Sequence, residues 1–152
     1  MSFYADGIID EIKSRGGAEK LRREGPDTLY IGGGTPSILP SEELERVVKA
    51  LGKSDYKEFT IEVNPDDING NGREYLQRLR DAGVTRISMG IQSFDDGILR
   101  WMNRRHDVAG ARLAFRLLRE AGFGNISIDL IFGLSQLELP RWEKSIREAI
   151  AL

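Results

Sequence analysis

Two groups of residues in this sequence have the chemistry of a binding site. The first is the run Gly32-Gly33-Gly34-Thr35-Pro36-Ser37, which interrupts the short apolar stretch Leu29-Tyr30-Ile31. Three glycines free the backbone to take positive φ and let a ligand lie against bare peptide groups, while Pro36 stiffens the exit. Carbonyls exposed in such a loop accept hydrogen bonds from an ammonium group, and the Thr35 hydroxyl adds a polar contact. An ordinary turn uses the same residue types, so the loop alone leaves both readings open. It is neither common phosphate motif: serine stands where a dinucleotide fingerprint has its last glycine, and no Gly-Lys-Ser/Thr triplet follows. The second group is Glu62, Gln92 and Asp129, polar residues at the ends of apolar runs. Taken singly, such an acid also serves as a helix cap or ion-pair partner. Arg104-Arg105-His106 alone reads as a solvated basic corner or a phosphate contact.

The elements that must carry these residues follow from periodicity. Tyr4 to Arg15 places Tyr4, Ile8, Ile9 and Ile12 on one helical face and stops at Gly16-Gly17. Glu19 to Glu24 forms a short charged helix, and Gly25-Pro26-Asp27 turns the chain into a strand at Thr28. Beyond the glycine loop, Ser41 is the expected N-cap of a helix with Glu42 and Glu43 in its first turn, Leu44, Val47, Val48 and Leu51 inward, and Gly52 as the stop. Glu58 to Val63 is the second strand, Asn64-Pro65-Asp66 a turn, and Arg73 to Asp81 a helix closing at Gly83. The third strand is Arg86 to Gln92, followed by helical pieces from Asp95 to about Asn103 and from Asp107 to Ala121. The fourth runs from Ile126 to Phe132, and Pro140 opens a last helix with Trp142, Ile146, Ala149 and Ile150 inward. Trp101 and Trp142 fall at apolar helical positions and are assigned to the core.

A helix in every gap between strands means a parallel sheet covered by helices. Alternation within the strands then separates the possible architectures. Phe59, Ile61 and Val63 oppose Thr60 and Glu62; Ile87, Met89 and Ile91 oppose Ser88, Gly90 and Gln92; Ile126, Ile128, Leu130 and Phe132 oppose Ser127 and Asp129. A doubly wound sheet has helices on both faces and makes both apolar, whereas a polar second face suits a barrel interior. In such barrels ligands sit at the carboxyl ends of the strands, where Gly32 to Thr35, Glu62, Gln92 and Asp129 all fall. The expected fold is therefore α/β, a partial parallel (β/α) barrel resembling a fragment of a TIM barrel, with four βα units after an N-terminal helix. Four units do not close a barrel, so the outer strands should present open edges through which the chain could self-associate.

Composition excludes several function classes. The 152 residues suit one domain with an ordinary core. Lysine plus arginine number 22 against 24 acids, a net charge of −2, which argues against a general nucleic-acid or anionic-membrane binder. No apolar run is long enough to span a membrane and no signal peptide opens the chain, so the expected location is cytoplasmic. There is no cysteine, and His106 is the one histidine, which leaves no ligand set for a self-contained zinc or iron–sulfur site.

Five motifs occur in order: Gly-Gly-Gly-Thr-Pro-Ser (32–37), Ile-Glu-Val-Asn-Pro (61–65), Arg-Ile-Ser-Met-Gly-Ile-Gln-Ser-Phe (86–94), Asn-Arg-Arg-His (103–106) and Ile-Asp-Leu-Ile-Phe-Gly-Leu (128–134). From Tyr4 onward the chain resembles the oxygen-independent coproporphyrinogen III oxidase family of radical S-adenosylmethionine enzymes. The resemblance implies a partial parallel barrel, a [4Fe–4S] cluster and S-adenosylmethionine. It matches Gly33, Gly34 and Thr35 to the loop holding the methionine amino group and Glu62 to the acid ending the next strand. It also matches Gln92, Arg104 and Asp129 to further contacts with the cofactor. The chemistry agrees, since an ammonium seeks carbonyls and acids, a ribose diol seeks carboxylate or amide acceptors, and a carboxylate seeks an arginine. Gln92-Ser93-Phe94 with Arg104-x-His106 resembles the haem-chaperone branch of that family more than the oxidases.

The departure from the family is the missing Cys-x-x-x-Cys-x-x-Cys loop. Tyr4 to Arg15 resembles the helix that follows that loop, so the resemblance implies a chain lacking the first strand with its cluster ligands, and lacking also the later strands and C-terminal domain. The parent protein is then an oxidoreductase in which a radical derived from S-adenosylmethionine abstracts hydrogen from two propionates of a porphyrinogen, and decarboxylation leaves vinyl groups; this piece alone should be inactive. A haem-binding chaperone that kept the barrel and lost the oxidase activity is the alternative. A barrel hydrolase using Glu62 and Asp129 as acid and base is a third reading, which leaves the glycine loop without a task.

Overall fold

The computed structural model describes residues 2–52, 55–135 and 138–152. Helices α1 (Ser2–Ser14) and α2 (Gly17–Glu24) precede strand β1 (Thr28–Ile31). A 3-10 turn (Pro36–Ile38) and α3 (Ser41–Leu51) lead to β2 (Glu58–Val63), and α4 (Pro65–Asp81) leads to β3 (Arg86–Gln92). Helices α5 (Asp96–Trp101) and α6 (Val108–Glu120) lead to β4 (Asn125–Leu130), which α7 (Leu139–Ile150) follows. The strands form one parallel sheet in the order β1-β2-β3-β4, so β1 and β4 are its edges among the described residues. Register aligns Tyr30 with Thr60 and Arg86, and Glu62 with Ser88 and Ser127.

The two faces of this sheet are chemically distinct. Phe59, Ile61, Val63, Ile87, Met89 and Ile91 bury one face under helices that contribute Leu44, Ile68, Leu76, Leu79, Ala114 and Leu118, all within one apolar cluster. No strand residue of the opposite face belongs to that cluster. It instead carries hydrogen bonds between strands: Arg86 donates to Glu58 Oε1 at 3.1 Å and to Ser127 Oγ at 2.7 Å, tying β2, β3 and β4 together near their amino ends. Burying Leu76 or Ile87 completely removes apolar surface worth about 2 kcal/mol each, which fixes which face turns inward. A slip of one residue would move every such side chain to the polar side.

Several local expectations need correction. Pro40, not Ser41, occupies the N-cap of α3, because its extended backbone (ψ 142) ends the loop and Ser41 is already helical. The segment from Asn64 onward is helical from Pro65, not a turn; Gly72, with φ 71 and ψ −170, breaks α4 into two pieces. Proline at the first helical position needs no N–H partner, and its φ suits a helix start. Strand β4 ends at Leu130, two residues before the expected Phe132, whose ring lies 74% exposed against Trp142. Trp101 is 53% exposed and Ile150 is 80% exposed, so neither belongs to the core. On α7, Ser145 is fully buried and its Oγ accepts the Phe94 N–H at 3.2 Å, while Ala149 packs against the core.

Candidate functional site

The glycine loop leaves β1 at its carboxyl end and is fastened to the ends of β2 and α4. Ser37, fully buried, donates to Asp67 Oδ2 at 2.6 Å and accepts the Asn64 N–H at 3.3 Å, while its carbonyl accepts from Asn71 at 3.3 Å. The Asn64 side chain does not cap α4; it donates to Thr35 Oγ1 at 3.4 Å. Gly33 and Gly34 have φ of 87 and 69, and a Cβ on either would meet open space. Positive φ explains glycine there, and both residues are exposed.

Glu62 closes onto this loop. Its Oε2 accepts the Gly33 N–H at 3.0 Å and its Oε1 accepts the Tyr30 hydroxyl at 2.6 Å. Tyr30 keeps its proton above the ordinary phenol range because the bond to Glu62 stabilises the protonated form; partial desolvation and the charges of Glu62 and Asp129 add to the shift, against a smaller opposing effect of Ser88. Asp129 accepts from Ser88 Oγ at 3.1 Å. Tyr30 with Glu62, and Ser88 with Asp129, thus form two hydrogen-bonded pairs on the polar face, one residue from each of the four strands.

Gln92 ends β3 in an unusual conformation. Its φ is 73, the ladder to β4 is irregular between Met89 and Gln92, and its carbonyl still accepts the Ile131 N–H at 2.9 Å. A side chain on Gly90 would lie 2.6 Å from the Gln92 amide nitrogen and 3.3 Å from the Asn64 Oδ1, so the missing Cβ lets both amides lie over this end of β3. Left-handed backbone at a non-glycine residue is uncommon and concentrates at functional positions.

Arg104 stands somewhat apart. Its N–H bonds the Leu99 carbonyl at 2.9 Å, and its guanidinium enters no ion pair among the described residues. The neighbouring Arg105 does pair, with Asp67 at 3.1 Å and Asp66 at 3.6 Å. His106 is buried, with Nε2 3.0 Å from the Ile91 carbonyl and Nδ1 3.6 Å from Asp66. Because a carbonyl only accepts, Nε2 carries the proton in that bond. His106 therefore fastens the α5–α6 linker, and Arg104 with it, to the end of β3 beside Gln92.

Gly33, Gly34, Thr35 and Glu62 are thus joined directly or through Asn64. Asp129 bonds Ser88 on the same face of the sheet, Gln92 and Asn64 come together over Gly90, and Arg104 makes no bond to these residues among the described contacts. Tyr30, Ser37, Asn64 and Asp67 are additions that sequence reasoning did not select. For Tyr30 a signal existed, since alternation with Leu29 and Ile31 puts it on the polar face. A cleft of about 530 Å³ lies between α1, β1 and α3; the glycine loop itself, from Gly32 to Thr35, forms part of its wall, together with Ile8, Ile12, Leu29, Ile31 and Leu44. Its wall is mainly apolar and adjoins the unpaired edge of β1, and it shares Tyr30 and the glycine loop with the polar group around Glu62.

Comparison with known proteins agrees with this geometry. The chain matches the Radical SAM superfamily over residues 8–149. It is 41% identical over 130 residues to the heme chaperone HemW of Bacillus subtilis, covering 82% of this chain and 34% of that protein. It is 34% identical over 136 residues to the oxygen-independent coproporphyrinogen III oxidase of Escherichia coli, covering 86% of this chain and 28% of that protein. Among solved structures, coproporphyrinogen III oxidase (HemN) from Escherichia coli superposes with a TM-score of 0.75 and 28% identity, over 97% of this chain and 35% of that one. The open four-stranded α/β sheet thus corresponds to part of a TIM-barrel-like radical SAM fold. The chain spans about a third of the length of the relatives it matches. With a polar strand-end mouth, a glycine loop bonded to a strand-end glutamate and this match over most of its length, the chain belongs to the radical SAM superfamily and is related to both its haem chaperones and its coproporphyrinogen oxidases.

Proposed function

We propose that this chain is the S-adenosylmethionine-holding part of a cytoplasmic radical SAM protein of porphyrin and haem metabolism, of the oxygen-independent coproporphyrinogen III oxidase type. The observation that carries the proposal is the Glu62 carboxylate bonded to the Gly33 N–H beside exposed, positive-φ glycine backbone. The residues fit the cofactor's amino acid end: Glu62 and the carbonyls of Gly33 and Gly34 would receive the ammonium group, and Thr35 would support the loop. Gln92 and Asp129 offer acceptors for ribose hydroxyls, and Arg104 a cation for the carboxylate. S-adenosylmethionine, when bound, supplies a sulfonium whose reductive cleavage yields an adenosyl radical. The residues of this chain do not fit the [4Fe–4S] cluster that would drive that cleavage, because the sequence contains no cysteine.

Under this proposal the apolar cleft beside β1 is where a preceding strand bearing the cluster ligands would pair, and the edge at β4 is where later strands would continue the barrel. The isolated chain would bind cofactor without turning it over, and its free edges favour self-association, which light scattering against concentration measures. Titration calorimetry with S-adenosylmethionine tests the site. Binding that Glu62→Gln weakens supports the proposal, and binding unaffected by that change or absent altogether refutes it. Among the described residues no helix is long and apolar enough to cross a membrane.

A second reading, a haem chaperone without oxidase activity, is favoured by the 41% identity to a heme chaperone and by Gln92-Ser93-Phe94 with Arg104-x-His106. Conversion of coproporphyrinogen, as against stoichiometric haem binding, by the longer protein reconstituted without oxygen separates the two.

A further inference from the structure

The proposed reading gives Glu62 an ammonium group to receive but leaves Tyr30 and Gly32 without a task. Tyr30 is a 58% exposed residue on edge strand β1, sharing the polar face with Thr60 and Arg86. Its hydroxyl donates to one oxygen of Glu62 at 2.6 Å while the Gly33 N–H donates to the other at 3.0 Å. A donor on each oxygen fixes the plane of the carboxylate. An ionised carboxyl group has about four acceptor positions, so about two stay available to a ligand.

Gly32 is explained by the same pair. Unlike Gly33 and Gly34 it is not among the positive-φ residues. A Cβ at Gly32 would nevertheless lie 2.8 Å from the Glu62 carboxyl carbon and Oε1, and would run into the Tyr30 ring. The triplet therefore divides: Gly33 and Gly34 are required by backbone conformation, and Gly32 by the space Tyr30 and Glu62 occupy.

We infer that Tyr30 is a positioning residue, whose phenol holds the Glu62 carboxylate in the orientation that receives an ammonium group, and that Gly32 lacks a side chain so that the two can meet. This rests on the reading of Glu62 as the ammonium acceptor. Its test compares two ligands by titration calorimetry: S-adenosylmethionine, and 5′-methylthioadenosine, which has no amino acid portion. The proteins are the unaltered chain, Tyr30→Phe, Gly32→Ala and Glu62→Gln. Tyr30→Phe and Gly32→Ala should each weaken S-adenosylmethionine about five- to tenfold, the scale of one charge-assisted hydrogen bond in a half-exposed setting, and leave 5′-methylthioadenosine within about twofold. Tyr30→Phe keeps the ring and its packing, so it carries the test even if Gly32→Ala misfolds. Equal weakening of both ligands by Tyr30→Phe would reveal a merely structural role and overturn the inference. Unchanged binding in Tyr30→Phe alongside weakened binding in Glu62→Gln overturns the role of Tyr30 alone. No effect of Glu62→Gln, or no binding by the unaltered chain, overturns the underlying reading of Glu62 and the inference with it.

Discussion

Replacing Ser37 by alanine should loosen the glycine loop from both elements that anchor it, and the loss can be estimated from the contacts. Ser37 is fully buried, so no water takes the place of its hydroxyl. The change removes a 2.6 Å bond to the Asp67 carboxylate and leaves the Asn64 N–H without its 3.3 Å acceptor. A hydrogen bond to a charged group contributes about 1.5–3 kcal/mol, and a stretched neutral bond under about 1 kcal/mol. Asp67 retains Arg105, which limits the cost of its stranded charge. The expected destabilisation is therefore about 2–3 kcal/mol, or about 4–12 °C in melting temperature at this chain length. Asp67→Asn is the contrast: it keeps an acceptor for Ser37 and loses chiefly the pairing with the 66% exposed Arg105, worth under about 1 kcal/mol. Thermal melts followed by circular dichroism decide the matter, with S-adenosylmethionine affinity as the second readout. If Ser37→Ala melts within about 1 °C of the unaltered chain, or no lower than Asp67→Asn, the loop is not held by this serine and the reasoning fails.

Other expectations concern titration and backbone. Tyr75 has its phenol pushed up to about 12, by burial first and by the charge of Asp67 second. The folded state therefore holds this proton more tightly than the unfolded one. Its contribution is fully present below about pH 10 and is lost as pH rises towards 12, a decline of order 2 kcal/mol in urea-unfolding free energy that Tyr75→Phe should flatten. Asp95 titrates below the ordinary carboxylate range, chiefly because Arg141 donates to both its oxygens. That stability is present above the ordinary carboxylate pKa and disappears as pH falls through the lowered one, so Arg141→Met, which is less stable at neutral pH, should lose stability less steeply below about pH 4. Gly34→Ala meets no atoms but forces alanine to φ 69, and should cost about 1–2 kcal/mol in the same urea assay; a neutral result would show that the loop relaxes to another conformation.

How much of this was legible in the residues depended on how regular each signal was. Strands β2 and β3 lie at the expected residues, Glu58–Val63 and Arg86–Gln92, because each alternates fully and is bounded by turn-forming residues. The first half of α4 was not legible. Asn69-Gly70-Asn71-Gly72 has the composition of a turn; burial of Ile68, Pro65 at the start and the side-chain bonds of Asn69 to Gly110 and Asn71 to Ser37 keep the stretch before Gly72 helical, and Gly72 itself breaks the helix. Trp101 misled for a related reason: α5 has 6 residues, and Ile98 and Leu99 already fill its buried side. Of the site, the strand-end positions of Glu62, Gln92 and Asp129 followed from alternation. The anchoring by Ser37 and Asn64 did not, because it depends on contacts between loops 27 and 29 residues apart.

His106 shows how a residue can serve the site without facing it. It is 5% exposed and could have been an ordinary core histidine. Its Nε2–H reaches the carbonyl of Ile91, the residue immediately before left-handed Gln92, and it sits two residues after Arg104. The carbonyl belongs to the stretch where the β3–β4 ladder becomes irregular. An imidazole there supplies a donor that the sheet does not, which stabilises a strand ending suited to turning Gln92 towards Asn64. The same bond holds the linker carrying Arg104 at that end of the sheet. The Arg-x-His spacing thus joins an arginine with no ion pair among the described residues to a histidine that fixes where their linker stands.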